Sequence, residues 1–452
     1  MSERIGRHLL SQLLCLGRHT VTGVLGVSGR LFRDWSADYR MYSSQRVDSR
    51  KLFGSIRKAL TESLRPDEPL VTALDDTRLR KSGRKTHGVK YTRDPLGPPF
   101  HVNFIQAQRF VQVSMASRAA HGMARMIPID FAHAPAAKKP RAGADKETLA
   151  RFRKAQRERA LPKVGADRLG RLRDDMDRDG HSQRPLWSVV DGGYTNRTFL
   201  KHLPPRTLAM GRIRADAKLH HLPESSEGKP GRNRVYGRRA PTPEQLRQDA
   251  TKPWQIVEAF AAGKRHRFRI KTMESLRWRP AGKEHGLRLI VIAPLAYRLT
   301  KHSRVLYRKP AYLICTDPEA ALEDVLQAYV WRWDIEVNFR DEKTLLGVGQ
   351  AQVRHERSVE NVPALAVAAY AMLLTSAIQA YGPTGKPDSL PLPKWRRKKS
   401  LRASTQSLIN HLRHEVWARS IHFSSFAPQP PSHTKPQKYH PSLEHALFYA
   451  TG

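Results

Sequence analysis

The alternation of apolar and polar positions divides the chain into a helical start, two short buried strands that each run into acid, a β-rich stretch and two further helices. Over residues 1 to about 65 the apolar positions of LLSQLLCL and SRKLFGSIRKAL recur at helical spacing, with Arg and Lys throughout. After the turn-like RPDEP, the run Leu70-Val71-Thr72-Ala73-Leu74 stops at Asp75-Asp76-Thr77. That pattern predicts a buried strand whose carboxylate emerges at its end. The basic stretch TRLRKSGRKTHGVKYTRD follows as a loop suited to tracking a phosphate backbone, and FHVNFIQA (100–107) and FVQVSMA (110–116) alternate as the next two strands of a meander. Between about 134 and 184 charge dominates, which predicts a loop and then an exposed helix, either solvated or in contact with phosphates. The strand-and-acid pattern returns in Leu186-Trp187-Ser188-Val189-Val190, ending at Asp191-Gly192-Gly193-Tyr194 with a helix opening at Thr195-Asn196. The glycines free the backbone to turn sharply there. From Arg206 to about Tyr312, RTLAMGRI, HRFRIKTM, LRLIVIAPL and PAYLICT read as strands between Gly/Pro-rich loops such as SSEGKPGRN.

The pattern then changes to the helical period. In YVWRWDIEVNFRDEK, Tyr329, Arg332, Glu336 and Lys343 lie at offsets 0, 3, 7 and 14, which keeps all four on one stripe of a helix. A second stripe, Leu326, Val330, Trp333 and Val337, lies beside it and predicts the buried side. One acid among three donors suits a metal-bound phosphate, because a carboxylate ligates Mg²⁺ while tyrosine, arginine and lysine hold phosphate oxygens. The same residues also fit a plain amphipathic helix with ion pairs from Glu336 to Arg332 or Arg340. Leu345 to Gln350 ends the helix at glycine, and an apolar helix over 358–381 follows, with Pro363 in its first turns and enough polar residues to read as core. The tail from Gly382, with KWRRKKS and APQPPSHTKPQKYHP, predicts weak order around a short helix near 403–417.

Composition narrows the partners. Lys and Arg number 80 against 41 Asp and Glu over 452 residues, a formal charge of +39. Such an excess calls for a polyanion, and nucleic acid is the one whose phosphates Lys and Arg bind with release of counterions. No apolar run reaches the roughly 20 uninterrupted residues of a spanning helix, and the start lacks the features of a signal peptide. Cys15 and Cys315 stand alone and far apart, which suits a reducing cytoplasm and supports neither a disulfide framework nor a zinc site.

Tyr, two residues, Arg, three residues, Glu, six residues, Lys resembles the Y-R-E-K signature of bacterial insertion-sequence transposases of the DDE class, and Tyr329, Arg332, Glu336 and Lys343 match it without a gap. The resemblance implies an α/β fold: a ribonuclease-H-like mixed sheet flanked by helices, interrupted by a mainly β insertion domain, with a small helical N-terminal domain. Its implied boundaries are 1–65 for the N-terminal helices, 66–205 and 316–381 for the two parts of the core, 206–315 for the insertion, and 382–452 for a basic, Pro-rich tail. The 145 residues between Asp191 and Glu336 leave room for that insertion. The catalytic, metal-binding acids would be Asp75, Asp191 and Glu336, with Asp76 an alternative to Asp75 because alternation alone does not say which faces the cleft. Two Mg²⁺ (or Mn²⁺) ions about 3.5 to 4 Å apart would serve a phosphoryl transfer, and Tyr329, Arg332 and Lys343 would hold DNA phosphates. Trp278, in the basic context SLRWRP, is a weaker site for stacking on an unpaired base or a plain β-sheet residue, and Trp254 is weaker still. The implied partners are double-stranded DNA, as terminal inverted repeats and target, and a second copy of the chain, with no membrane. The implied setting is a bacterial cytoplasm, at the nucleoid. An inactive DNA-binding descendant of a transposase and a ribonuclease-H-like nuclease are the alternatives.

Overall fold

The computed structural model describes residues 2–98, 100–223, 234–282, 285–387 and 400–420. Four helices open the chain, α1 (Ser2–Leu14), α2 (Val21–Val27), α3 (Ser36–Ser43) and α4 (Ser49–Thr61). Thr20 and Asp48 cap α2 and α4 by accepting backbone N–H groups that a helix start leaves unpaired. Leu9, Leu13, Leu25, Met41, Phe53, Ile56 and Leu60 bury into the same apolar cluster as the sheet. At the base of these helices Asp38, fully buried, takes His8 at 3.0 Å and Arg4 at 3.1 Å, so its charge is paired on two sides.

The sheet begins with β1 (Leu70–Arg80), β2 (Lys90–Arg93), β3 (Phe104–Arg118) and β4 (Ala124–His133). After α5 (Lys146–Glu158) and α6 (Leu161–Arg178) come β5 (Leu186–Val190), the short α7 (Arg197–Leu200) and β6 (Thr207–Arg212). β1, β5 and β6 run parallel, while β3 is antiparallel to both β1 and β4. A mixed sheet in the order β4-β3-β1-β5-β6, flanked by helices, is consistent with a ribonuclease-H-like core. Two sequence expectations change here. The runs at 100–107 and 110–116 are one strand, β3, and its hairpin partner is β4: buried Gln108 and half-buried Arg109 hydrogen bond to the carbonyls of His87 and Ala134, so polar residues do not interrupt the strand. Of the charged stretch 134–184, α5 buries nothing, but α6 packs Ala166, Leu169, Leu172 and Met176 into the core. Its close approach needs Gly165, where a Cβ would stand 2.9 Å from the Tyr194 ring and 3.1 Å from Leu74.

The segment 206–315 is largely β and continues the same sheet. It contains β6, β7 (Leu219–His221), α8 (Pro243–Gln248), β8 (Gln255–Ala261), β9 (Lys264–Trp278), β10 (Leu287–Ile292), a separate two-stranded ribbon of β11 (Ala296–Tyr297) and β12 (Leu306–Tyr307), and β13 (Ala311–Cys315). β13 is hydrogen bonded to β6, β10 to β13 and β9 to β10, so these strands widen the core sheet instead of closing into one of their own. The loop SSEGKPGRN lies outside the described residues. Among the described residues four helices follow: α9 (Leu322–Trp331), α10 (Asp334–Thr344), α11 (Glu356–Tyr381) and α12 (Thr405–Ser420). α11 is long and apolar enough to cross a membrane by composition, and 72% of its apolar window is buried inside the protein. It packs on β4 and on the N-terminal helices, where Asn361 donates to the Tyr42 carbonyl at 2.9 Å. Of the tail, KWRRKK and APQPPSHTKPQKYHP lie outside the described residues. Cys15 and Cys315 are both buried and unbonded to one another.

Phe110 is fully buried and stacks on Phe131 at 4.8 Å, whereas Leu96 is 86% exposed. Phe110→Ala is expected to cost about 3 to 5 kcal/mol and Leu96→Ala less than about 0.5 kcal/mol, measured as the difference in urea midpoint between each variant and the unsubstituted chain.

Candidate functional site

The parallel pair β1–β5 brings two acids side by side. Its ladder runs from Leu70 opposite Leu186 to Leu74 opposite Val190, so the next residue on each chain is Asp75 and Asp191. β5 ends at that point, whereas β1 continues to Arg80 along β3 alone, so Asp75 sits mid-strand and not at a strand end. Asp191 is held by its own turn: its Oδ1 accepts the backbone N–H groups of Gly193 at 2.9 Å and Tyr194 at 3.2 Å. A Cβ at Gly193 would come within 3.2 Å of that oxygen, so the carboxylate would have to give by a few tenths of an ångström. Neither Gly192 nor Gly193 takes a positive φ, and a Cβ at Gly192 would meet nothing closer than the Arg212 carbonyl at 3.6 Å, an ordinary contact. The helix expected near Thr195 follows as α7, capped by the Asn196 side chain.

Alternation along β1 separates the two neighbouring acids. Val71, Ala73 and Asp75 share a face, and Val71 and Ala73 belong to the apolar cluster that holds Val325, Leu326, Ala328 and Ile335 of α9 and α10. Asp76 shares the opposite face with Leu74, under α6, where the Tyr194 hydroxyl donates to its Oδ1 at 3.3 Å. Asp75 therefore faces the helices that carry Arg332 and Glu336, and Asp76 does not.

Those helices are two, not one. α9 stops at Trp331, and α10 starts at Asp334, with tightened turns at the junction: Trp333 N–H bonds Val330 and Glu336 N–H bonds Trp333. The break rotates the apolar stripe, so Trp333 is 60% exposed while Ile335 is fully buried. It also lets Arg332, itself buried, point between two carboxylates, 3.7 Å from Asp75 Oδ2 and 3.8 Å from Glu336 Oε1. Tyr329 is half-buried against the second apolar cluster. Lys343 lies two turns beyond Glu336, over the Phe339 ring at 5.9 Å, in the electrostatic neighbourhood of Arg78 and Arg80 of β1. Of the residues singled out in sequence, then, Asp75, Asp191, Arg332 and Glu336 meet, and Tyr329 and Lys343 flank them.

Charge is poorly neutralised at this meeting point. Burial, and then the Asp191 carboxylate, push Asp75 up to about 7, against the Asp76 N–H and the Arg332 guanidinium. Burial also raises Glu336, with Arg332 opposing and Asp191 adding to the effect. Burial lowers Lys343, with Glu342 opposing and Arg78 and Arg80 adding. Hard oxygen donors that repel one another in a partly dry site match what a divalent cation such as Mg²⁺ or Mn²⁺ takes. Among the described residues no group of three or more His, Cys, Asp and Glu side chains is gathered around one point for a metal. The two carboxylates nearest each other across β1 and α10 are instead bridged by Arg332, which would have to swing aside for an ion.

Residues that sequence reasoning missed hold α10 from below and from the side. Asn338 donates to Ser114 Oγ at 3.1 Å and accepts the Tyr370 hydroxyl at 3.1 Å, all buried. Glu342, 1% exposed, is pushed up to about 8 by burial despite a hydrogen bond with Gln112. From the C-terminal segment, Arg402 donates to both oxygens of Asp334 at 3.0 and 2.6 Å, and Thr405 donates to Asp341 Oδ2 at 2.6 Å. No apolar period marks such polar core positions, so periodicity had no way to find them. Trp278 stands at the end of β9, half-buried against the main core, and β6, β13 and β10 separate its strand from β5. Trp254 lies between Arg269 and Lys271, at 5.1 and 4.6 Å. Neither reaches the acids through any contact in the structure.

The chain matches the family described as DDE superfamily endonuclease over residues 3–279, more than half its length. The match includes Asp75 and Asp191 and ends before Tyr329, so the association of Glu336 with them rests on geometry. No curated protein matches the chain.

A carboxyl raised on folding favours the protonated native state, so its contribution to stability is full below the unfolded value near 4 and is lost as pH rises through about 7. In metal-free protein, Asp75→Asn should therefore gain stability over the unsubstituted chain progressively from pH 4 to about 7 and level off above. Thermal midpoints of the two proteins across that range measure the gap, and a gap that does not widen with pH rules out the raised carboxyl.

Proposed function

The chain belongs to the DDE superfamily of endonucleases, and on that footing we propose that it is a transposase that cuts the ends of an insertion sequence and joins them to target DNA. The observation that carries the reading is the β1–β5 register, which sets Asp75 beside Asp191 under the Arg332–Glu336 turn of α9 and α10. Family membership implies a DNA substrate and nuclease-type chemistry; terminal inverted repeats, strand transfer and a dimer are this proposal's additions.

Asp75, Asp191 and Glu336 would hold two Mg²⁺ or Mn²⁺ ions. When bound, the ions supply activation of the attacking oxygen and stabilisation of the leaving oxygen. The protein's own part is alignment and charge neutralisation, which is most of what phosphoryl transfer asks of an enzyme. Arg332, once released from its bridge between Asp75 and Glu336, would neutralise the scissile phosphate. Tyr329 and Lys343 would hold the phosphates flanking it. Water attacks phosphorus first and frees a 3′-hydroxyl; that hydroxyl then attacks a second phosphodiester, forming one P–O bond as another breaks. The helical N-terminal segment and the strands of 206–315 offer further DNA-binding surface in a cytoplasmic, nucleoid-associated protein.

Purified protein with Mg²⁺ should cut DNA carrying the inverted repeats that flank its own locus, and EDTA should stop it. Glu336→Gln is expected to slow cutting by on the order of a thousand-fold with little change in DNA affinity, read by gel assay and by anisotropy. Asp191→Ala should behave alike, whereas Asp76→Asn should retain cutting. Tight binding by the unsubstituted chain without any cut would instead make it a DNA-binding descendant of a transposase.

A further inference from the structure

The hairpin of β2 and β3 carries large exposed side chains that the site described above does not use. Tyr91 is 61% exposed and Phe104 59%, and at the tip Leu96, Phe100 and Val102 are exposed as well. Single exposed apolar residues need no explanation, but a run of them on one projecting hairpin does.

Register places two of these rings on the same sheet face as the acids. Asp75 pairs with Gln112 and Leu79 with Gln108 along β1–β3. Continuing down β3 by twos reaches Gln106 and Phe104, and β2 sets Tyr91 opposite Gln106 and Arg93 opposite Phe104. Paired residues share a face, and so do alternate residues of a strand. Tyr91, Arg93 and Phe104 thus continue the face of Asp75, with Phe104 about 27 Å along β3 from Gln112. Tyr91 and Phe104 are diagonal neighbours, about 7 to 8 Å apart, which admits one flat ring at a contact distance of about 3.5 Å from each.

The surroundings are cationic. From Arg78 to Asn103 there are seven Lys and Arg residues and one acid, Asp94, which is buried and paired with Arg80 at 2.6 Å; Lys81 is buried on the carbonyls of Gly349 and Ala351, which leaves Arg78, Arg84, Lys85, Lys90 and Arg93. Lys343 adds a cation on the side toward the acids. Two such hairpins would repel one another, which disfavours a second copy of the chain as the occupant. A polyanion that also presents flat rings satisfies both the charge and the aromatics, because bases stack on aromatic side chains while Lys and Arg follow the backbone.

We propose that the β2–β3 hairpin is a base-capturing arm, in which Tyr91 and Phe104 stack an unpaired nucleotide of the DNA end while Arg93, on the same face, holds its phosphate. This rests on the reading of the chain as a nuclease acting at DNA ends. The arm would take up a base as the duplex opens at the cut and hold the strand against the face on which Asp75 lies.

The test uses the full chain bearing Glu336→Gln, so that DNA stays uncut, and two probes from its flanking repeats: a blunt duplex, and the same duplex with a short unpaired end carrying 2-aminopurine. The unpaired end should bind on the order of ten-fold tighter, with quenched fluorescence. Tyr91→Ala with Phe104→Ala should lose both the preference and the quenching, and Trp at the two positions should keep them. Should the double change unfold the protein, the single Tyr91→Ala change carries the same comparison. Preference and quenching that survive the alanines overturn the arm, as does a double variant that falls from dimer to monomer in light scattering, since the rings would then be covered by a second copy. Magnesium-dependent cutting by the unsubstituted chain without any preference for unpaired ends sinks the arm alone; a ring-dependent preference in a chain that never cuts sinks the nuclease reading and leaves the arm.

Discussion

Two carboxylates forced into adjacent positions by a parallel ladder set the terms for the rest of this molecule. The five-residue pairing of β1 with β5 buries nine of its ten residues, Trp187 being half-buried, and holds Asp75 next to Asp191. Burial, and then the Asp191 carboxylate, raise Asp75, and the neighbouring elements are arranged around it. Arg332 reaches in from the break between α9 and α10, the turn after β5 spends two backbone N–H groups on Asp191, and Asp76 is turned away to the far side of the sheet, where Tyr194 donates to it. A buried guanidinium shared between Asp75 and Glu336 is a modest compensation, since the contacts are 3.7 and 3.8 Å and no hydrogen bond between them is made. Strain of this kind, left partly unrelieved, is common where a site must accept a charged ligand.

Below α10 lies a polar layer that behaves differently from the apolar core. Ser114, Asn338 and Tyr370 form a closed hydrogen-bonded chain, while Glu342 and Gln112 each keep an oxygen without a partner. A neutral Glu342 is the form that such a site tolerates, because an unpaired buried charge costs several kcal/mol. This layer fixes the height and rotation of α10 more sharply than apolar packing would, because hydrogen bonds specify direction and dispersion contacts do not.

The strands that carry the two aspartates were readable in the sequence because a parallel strand buried on both faces is a continuous apolar run, and 70–74 and 186–190 are such runs. What followed each run was less readable. β1 continues past its acids because β3 still pairs with it on one side, and nothing in TRLRKS announces that. Alternation puts Asp75 and Asp76 on opposite faces but does not say which face α9 and α10 cover; only the partners of Val71 and Ala73 decide it. The helical stripe through Tyr329, Arg332, Glu336 and Lys343 has the right residues and the wrong continuity, because the turn at Arg332 and Trp333 leaves the spacing intact while rotating what comes after. α6 was hidden by its charged flank, and β4 by the expectation of a turn inside β3. The anchors Arg402 and Thr405 were beyond reach of any local pattern, since each acts on a residue more than sixty positions away.

Those two anchors give the site an order of assembly. The ladder that sets Asp75 beside Asp191 joins residues before 191, and α10 follows more than a hundred residues later; there Arg402 ties Asp334, which Met126 N–H also reaches, Thr405 ties Asp341, and Arg402 donates to the Ala124 carbonyl of β4 as well. During synthesis from the N-terminus, the strands that carry the two aspartates and the glutamate helix itself therefore leave the ribosome before the residues that supply these two ties. A truncation between residues 344 and 402 would keep both aspartates and Glu336 yet remove the two ties on α10, so the site would loosen without losing any residue that lines it.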